Sequence, residues 1–149
     1  MKNKANQTAT LEDAISIASL AHKGQIDKAG SPYILHPLRM MMQMKSETAM
    51  MVAVLHDVVE DCKGWTFNRL RKNGFSEEVL AALDCVTSRS SESYEDFIKR
   101  VQTNPIAREV KIADLEDNMN IRRINELQPK DLERLEKYHR SWCLLTTTH

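Results

Sequence analysis

The chain is poor in glycine, proline and aromatic residues, and each scarcity narrows the choice of fold. Its 149 residues include four glycines, four prolines, two tryptophans, three tyrosines and three phenylalanines. A β-sandwich needs a turn signal about every ten residues, so this composition disfavours such a fold and favours helices. No segment alternates apolar and polar residues as a half-buried strand does. The sequence therefore predicts one all-α domain over residues 1–149, with about seven or eight helices after a frayed lead at residues 1–9.

The chain also lacks net charge, a paired set of cysteines and a long apolar run. Its 21 Lys and Arg residues balance 21 Asp and Glu residues, which argues against sequence-independent binding to nucleic acid. Three cysteines without a C-x-x-C pair favour neither a disulfide framework nor a thiolate zinc site. The longest apolar run, residues 49–55, is too short to span a bilayer, and the polar lead lacks a signal-peptide core. We expect a cytoplasmic protein with no nucleic-acid or membrane partner; its oligomeric state stays open.

Capping residues and first-turn prolines predict where the helices begin. Suitable side chains are Thr10, Ser46, Thr66 and Ser76 as N-caps, and Pro37, Pro105 and Pro129 as first-turn prolines. The predicted helices start near residues 11, 36, 46, 67, 77, 94, 105 and 130. Two are long, running from Ser46 to about Cys62 and from Pro105 to about Arg123. The first is apolar nearly all round at its centre, AMMVAVLHDVV, and is expected to be the buried central helix.

Four ionisable residues lie inside this apolar segment: His56, Asp57, Glu60 and Asp61. Burying an unpaired charge is costly. On a continuous helix their spacing would bring one imidazole and three carboxylates onto overlapping faces. Close carboxylates repel one another unless a cation lies among them, so a bound divalent metal is the simplest explanation. The alternative is a chance His-Asp pair whose neighbouring acids reach solvent at a helix end.

Two further residues are candidate ligands for such a metal. His36 lies at a predicted helix start, and Asp114 lies in an otherwise apolar part of the helix after Pro105. Imidazole and carboxylate together suit Mn²⁺, Fe²⁺ or Zn²⁺ better than Ca²⁺ or Mg²⁺.

Four blocks of sequence, in order, resemble the hydrolase domain of RelA/SpoT-type alarmone enzymes, which carries the HD superfamily pattern of His, His-Asp and Asp. They are AHKGQ at 21–25, KAGSPYILHP at 28–37, LHDVVED at 55–61, and VKIAD at 110–114 with Asn118-Met119. The resemblance covers most of the chain, is closest to the small alarmone hydrolases, and implies an HD-domain helical bundle.

The resemblance also implies a site and a reaction. It makes His36, His56, Asp57 and Asp114 the ligands of one Mn²⁺ ion, Glu60 and Asp61 the catalytic acidic pair, and Lys28 and Asn118 substrate contacts. The implied reaction is removal of the 3′-pyrophosphate from ppGpp or pppGpp. The acidic pair suits it, because a metal lowers the pKa of its water and a nearby carboxylate can orient that water or take its proton.

Departures from the family pattern leave the substrate open. Asp27 stands where the family has Arg, and Asn120-Ile121 where it commonly has Arg-Thr. An Asp reverses the charge near an anionic nucleotide, so hydrolysis of (p)ppApp or an NADPH-like nucleotide is one alternative. A nucleotide-sensing module without turnover is another, and a metal-free helical protein is a third. Tyr33 is expected to pack, and residues 130–140 to form a solvated helix face.

Overall fold

The structure, a computed structural model, describes residues 7–147, and its regular elements there are α-helices and one 3-10 turn. The elements are α1 (Leu11–Ala21), α2 (Leu35–Gln43), α3 (Glu47–Leu55), α4 (Val58–Asp61), α5 (Phe67–Lys72), α6 (Glu77–Val86), α7 (Tyr94–Gln102), α8 (Pro105–Asn118), the 3-10 turn Ile121–Arg123, and α9 (Pro129–Thr146). The predicted all-α fold class is confirmed. Helix α4 is a single turn directly after α3, and the other eight α-helices of residues 7–147 agree with the expected seven or eight.

Side-chain caps fix where most of these helices begin. Each cap accepts a hydrogen bond from the backbone N–H three residues further on, which satisfies an amide that has no partner inside the helix. The capping residues are Thr10, Ser46, Thr66, Ser76, Ser93 and Asn104. The four caps predicted from the sequence are confirmed.

Helix α3 is the centre of the bundle and positions the polar residues that follow it. It packs against α1, α2, α6 and α8. Five of its side chains are fully buried: Ala49, Val52, Ala53, Val54 and Leu55. A smaller apolar cluster around Phe97, Leu115 and Leu145 joins α7, α8 and α9. Within residues 7–147, no helix combines the length and apolarity needed to cross a membrane.

The predicted continuous helix from Ser46 to Cys62 is wrong, because it breaks at His56 and Asp57. The carbonyl of Ala53 accepts from His56 twice, from the backbone N–H at 3.4 Å and from Nδ1 at 2.8 Å. A side chain that bonds to the backbone in this way competes with the regular helical ladder. The break, rather than a shared helix face, sets where the four ionisable side chains point.

The predicted helix from Pro105 to Arg123 is also too long, because α8 ends at Asn118. The chain then turns through Met119 and Asn120 into the 3-10 turn. The turn brings the Arg123 guanidinium back to Asp117, whose backbone carbonyl accepts from Nη2 at 2.8 Å. This contact crosses a turn between residues six apart, so the helical periodicity of the local sequence does not predict it.

The last residue of the predicted frayed lead, Ala9, packs against the turn after α5. Residues 1–6 lie outside the described residues, but Ala9 is buried and its N–H donates to the Gly74 carbonyl at 2.9 Å. Gly74 has a φ of +94°, and a Cβ there would lie 2.4 Å from the carbonyl oxygen of Gln7. Only glycine suits that conformation and that close approach.

Candidate active site

Four of the sequence-predicted residues meet where α2, α8 and the α3–α4 break converge. We call His36, His56, Asp57 and Asp114 the His/Asp cluster. His36 Nε2 lies 3.0 Å from Asp114 Oδ1 and 4.0 Å from Asp57 Oδ2. His56 Nε2 lies 2.9 Å from Asp57 Oδ2 and 3.5 Å from Asp114 Oδ1. Packing against α3 therefore brings together side chains from three separate elements.

Hydrogen bonds on the outer nitrogens orient both imidazoles. His36 Nδ1 lies 2.6 Å from Asp117 Oδ2, and His56 Nδ1 lies 2.8 Å from the Ala53 carbonyl. Both partners are acceptors, so each Nδ1 donates its proton away from the cluster and each Nε2 points into the cluster, where a cation can bind. His56 Nε2 is buried and has no hydrogen-bond partner among the described residues.

This donor set fits a divalent metal. One nitrogen of His36, one of His56 and one oxygen of Asp57 lie within 4.8 Å of one another. Asp114 is not part of that group of three, but its Oδ1 contacts both imidazoles. An imidazole lone pair facing a carboxylate oxygen is repulsive unless a cation lies between them. Nitrogen and oxygen ligands together are typical of transition-metal sites.

The charges of the cluster reinforce this conclusion. Burial lowers the pKa of His56, but the Asp57 and Asp114 carboxylates outweigh it and raise that pKa well above its ordinary value. Burial raises the pKa of Asp114, but Lys111 and both histidines bring it well below its ordinary value. The cluster therefore holds its carboxylates ionised and attracts a cation.

Neighbouring donors hold the two carboxylates in place. The Tyr33 hydroxyl donates to Asp57 Oδ2, so the expectation that Tyr33 only packs is wrong. Lys111 Nζ donates to Asp114 Oδ2 at 2.7 Å, and Asn118 Nδ2 donates to Asp114 Oδ1 at 3.0 Å. Asn118, which is predicted to contact substrate, therefore contacts Asp114, a candidate metal-ligating residue.

Two cavities open beside the cluster and share Tyr33, Asn118 and Tyr138 in their walls. The smaller, of about 270 Å³, is lined by His56, Asp57 and Asp114 and by the polar groups Glu60, Lys111 and Lys137. The larger, of about 320 Å³, contains His36 in its wall together with Asp27, Lys28, Arg123 and Arg134. Lys28, which is predicted to contact substrate, lies in the wall of this larger cavity.

The two residues of the predicted acidic pair occupy different surroundings. Glu60 lines the smaller cavity and accepts from Ser88 Oγ at 2.9 Å and from the Ser88 N–H at 3.3 Å. Asp61 is exposed and lines neither cavity. Partial desolvation, with the nearby charges of Asp57 and Glu60, raises the pKa of Asp61 to about 6. The structure therefore brings Glu60, but not Asp61, into the wall of the cavity beside the cluster.

Curated relatives match this chain along most of its length. It is 30% identical over 133 residues to a probable GTP pyrophosphokinase of Mycobacterium leprae, a match that covers 80% of this chain and 16% of the relative. It is 30% identical over 135 residues to a guanosine-3′,5′-bis(diphosphate) 3′-pyrophosphohydrolase of Haemophilus influenzae, covering 81% and 20%. It is 29% identical over 146 residues to the bifunctional (p)ppGpp synthase/hydrolase SpoT of Escherichia coli, covering 89% and 20%. The chain thus spans a fifth or less of these relatives.

A solved structure shares the fold. A metazoan SpoT orthologue, described as hydrolysing ppGpp and playing a role in starvation responses, superimposes with a TM-score of 0.74 at 21% identity, covering 96% of this chain and 89% of that one. No family model matches the chain. The chain is a homologue of the RelA/SpoT-type HD hydrolase domain.

The departure from the RelA/SpoT pattern at Asp27 does not leave an unpaired charge in the larger cavity. Asp27 Oδ1 accepts from the N–H groups of Ala29 and Ser31, both at 2.9 Å, and so shapes its own loop. Arg123 Nη1 lies 3.5 Å from Asp27 Oδ2. The charge of Asp27, which stands where the RelA/SpoT pattern has arginine, is therefore compensated by Arg123 in the same cavity wall.

Sequence reasoning missed Asp117, which lies behind His36. Its buried carboxylate accepts from His36, Arg39 and Arg123. Burial raises the pKa of Asp117, but the hydrogen bonds from His36 and Arg39 hold it well below its ordinary value. The available signal was the spacing of Asp117, three residues after Asp114 on the same helix.

The expectation that residues 130–140 form only a solvated face is wrong. Four of them line the larger cavity, namely Asp131, Arg134, Leu135 and Tyr138. Lys137 lines the smaller cavity, with Nζ 3.8 Å from the centre of the Tyr94 ring. Their spacing of three, four and seven residues, which places side chains on one helix face, was the signal available in the sequence.

Proposed function

We propose that the chain is a metal-dependent nucleotide phosphohydrolase that removes the 3′-pyrophosphate of (p)ppGpp. The observation that carries the proposal concerns Nε2 of His56, which is buried and has no hydrogen-bond partner within residues 7–147. This atom faces His36 and two carboxylates at the edge of a polar cavity. Relatives named as (p)ppGpp 3′-pyrophosphohydrolases support the reaction and its substrate.

His36, His56, Asp57 and Asp114 would hold the metal, and Mn²⁺ is the ion proposed. When bound, a divalent metal lowers the pKa of a coordinated water and offsets negative charge on phosphate oxygens. The chain contributes the orientation of its ligands: Tyr33 fixes Asp57, while Lys111 and Asn118 fix Asp114. Preorganised ligands of this kind need little rearrangement during the reaction.

Glu60 and Asp61 are consecutive acidic residues at the end of α4, and Glu60 lies in the wall of the smaller cavity. Glu60 is oriented by Ser88 and faces the smaller cavity, so its carboxylate can accept a proton from an attacking water. Partial burial and the nearby charges raise the pKa of Asp61 to about 6, close to the working range of a proton acceptor. We propose Asp61 as the second member of the catalytic acidic pair.

The two cavities suit the two ends of such a nucleotide. Lys111 and Lys137 give the smaller cavity positive charge for a pyrophosphate group. The larger cavity, of about 320 Å³, lies within the range of small-molecule sites and has Lys28, Asn118 and Tyr138 in its wall to contact the nucleoside.

We also propose that residues 1–149 form one hydrolase domain, working in the cytoplasm where its three free cysteines stay reduced.

The test is to incubate the Mn²⁺-loaded protein with ppGpp, ppApp and NADPH in separate reactions and to follow phosphate and pyrophosphate release. An Asp57→Ala variant is the control, because it removes a candidate ligand. Pyrophosphate from ppGpp with the native protein alone supports the proposal. Turnover of only another nucleotide keeps the hydrolase and overturns the guanine specificity. No turnover of any of the three, despite bound Mn²⁺, favours a sensing module.

A further inference from the structure

The carboxylate of Asp117 lies on the side of His36 that faces away from the His/Asp cluster. Its Oδ2 is 2.6 Å from His36 Nδ1, whereas His36 Nε2 is 3.0 Å from Asp114 Oδ1. Both the imidazole and the carboxylate are 6% exposed. An ionised carboxylate accepts hydrogen bonds and cannot donate, so Asp117 selects the neutral tautomer whose proton is on Nδ1. In that tautomer the lone pair of Nε2 points into the cluster.

Two arginines hold this carboxylate. Arg39 donates through Nε to Oδ1 at 2.7 Å and through Nη2 to Oδ2 at 2.9 Å. Arg123 Nη2 donates to the Asp117 backbone carbonyl at 2.8 Å and to Oδ2 at 3.3 Å. Rotation of the carboxylate away from His36 would break charge-assisted bonds to both arginines. The position of Asp117 is therefore determined by its surroundings rather than by His36 alone.

Arg123 also connects this arrangement to the larger cavity. Its Nη1 reaches Asp27 in the loop before α2, and both residues lie in the cavity wall. One guanidinium thus touches the loop beside the cavity and the carboxylate behind a candidate metal ligand.

We propose that Asp117 is a positioning residue for His36 as a metal ligand. The inference rests on the proposed metal-dependent function. A carboxylate on the outer imidazole nitrogen fixes the tautomer and makes the ligating nitrogen more basic, and loss of such a partner lowers metal affinity by roughly 10- to 100-fold.

The test measures Mn²⁺ affinity directly, from the electron paramagnetic resonance signal of free Mn²⁺, in the full chain and three variants. Asp117→Ala is expected to bind about 100-fold more weakly and Asp117→Asn about 10-fold more weakly, because the amide oxygen still accepts from Nδ1 but has no charge. Glu116→Gln is the matched control. It removes the same charge from the next position of α8, where the side chain is exposed and accepts from Trp142 Nε1 at 2.9 Å.

The control variant should keep the native Mn²⁺ affinity, and saturating Mn²⁺ should restore most of the kcat of Asp117→Asn. Native affinity in both Asp117 variants overturns the inference while the proposed function stands. An equal loss in Glu116→Gln also overturns it, because the effect is then one of overall charge. If Asp117→Ala fails to fold, the comparison of Asp117→Asn with Glu116→Gln decides. Absence of Mn²⁺ binding by the native chain overturns the proposed function itself, and this inference with it.

Discussion

Replacing Lys111 by methionine should destabilise the metal-free protein and tighten its binding of Mn²⁺. The ammonium group of Lys111 lies 2.7 Å from Asp114 Oδ2, and the two side chains are 13% and 9% exposed. Removing one member of a buried ion pair leaves an uncompensated charge and costs about 3 kcal/mol at the lower end of the usual range. The lower end applies because Asn118 and His36 still contact Asp114.

A bound divalent ion would replace the missing positive charge at Asp114. The loss of stability should then fall to about 1 kcal/mol, since methionine fills much of the volume of the lysine stem. The difference of about 2 kcal/mol must reappear in binding, because coupling between two equilibria is reciprocal. It corresponds to roughly 30-fold tighter Mn²⁺ binding by the variant.

Urea denaturation with and without Mn²⁺, combined with direct Mn²⁺ titration, measures both sides of this coupling. Lys99→Met is the control, because Lys99 is 65% exposed and its pairs with Glu95 and Asp96 are 3.6 and 3.7 Å long. An exposed pair of this kind should change stability by less than about 1 kcal/mol under either condition. Equal destabilisation of Lys111→Met with and without Mn²⁺, and unchanged affinity, would refute the view that lysine and metal share the Asp114 carboxylate.

Three further predictions follow from individual contacts. Glu60→Gln should keep the native Mn²⁺ affinity within about twofold, while turnover of ppGpp falls by roughly 10²- to 10⁴-fold because a proton acceptor is lost. A parallel loss of Mn²⁺ binding in a titration would contradict that role for Glu60. The pKa of Asp61 rises in the fold from 3.8 to about 6, so its ionised form destabilises the metal-free protein as pH rises through that window. Asp61→Asn should therefore raise the free energy of unfolding at pH 7.5 by ~1 kcal/mol, a figure reduced for solvent screening because Asp61 is exposed, and leave it unchanged at pH 3.5. The same gain at both pH values in urea titrations would show that the ionised Asp61 carboxylate is not the source of the destabilisation. Gly74→Ala should lower the free energy of unfolding by at least ~1–2 kcal/mol, because φ is +94° and the new Cβ would meet the Gln7 carbonyl; a thermal melt that matches the native one would show that the lead does not pack there.

Local signals in the sequence were enough for the fold class and most helix starts. Thr10, Ser46, Thr66 and Ser76 cap helices as predicted, because a cap needs only its own side chain and the next three residues. The same reasoning failed at His56, where the imidazole donates a hydrogen bond to the Ala53 carbonyl and the helix is interrupted. It failed again after Asn118, where the chain turns to bring Arg123 onto Asp117.

The candidate site divides in the same way. The sequence by itself determined which residues could chelate a metal, because the four blocks that resemble RelA/SpoT-type domains contain His36, His56, Asp57 and Asp114. Their roles, with those of Glu60, Asp61, Lys28 and Asn118, stay predictions, while their positions are now described.

Only the tertiary structure decided which groups surround that cluster. Tyr33 is 24 residues from Asp57 along the chain, and His36 is 81 residues from Asp117, yet each pair is in hydrogen-bond contact. Helix caps and apolar periodicity depend on residues within one or two turns, so the sequence alone can predict the helices that they define. Pairing of buried charges depends on how α2, α8 and the α3–α4 break pack around a shared core, since burial requires each polar group to find a partner wherever the fold supplies one.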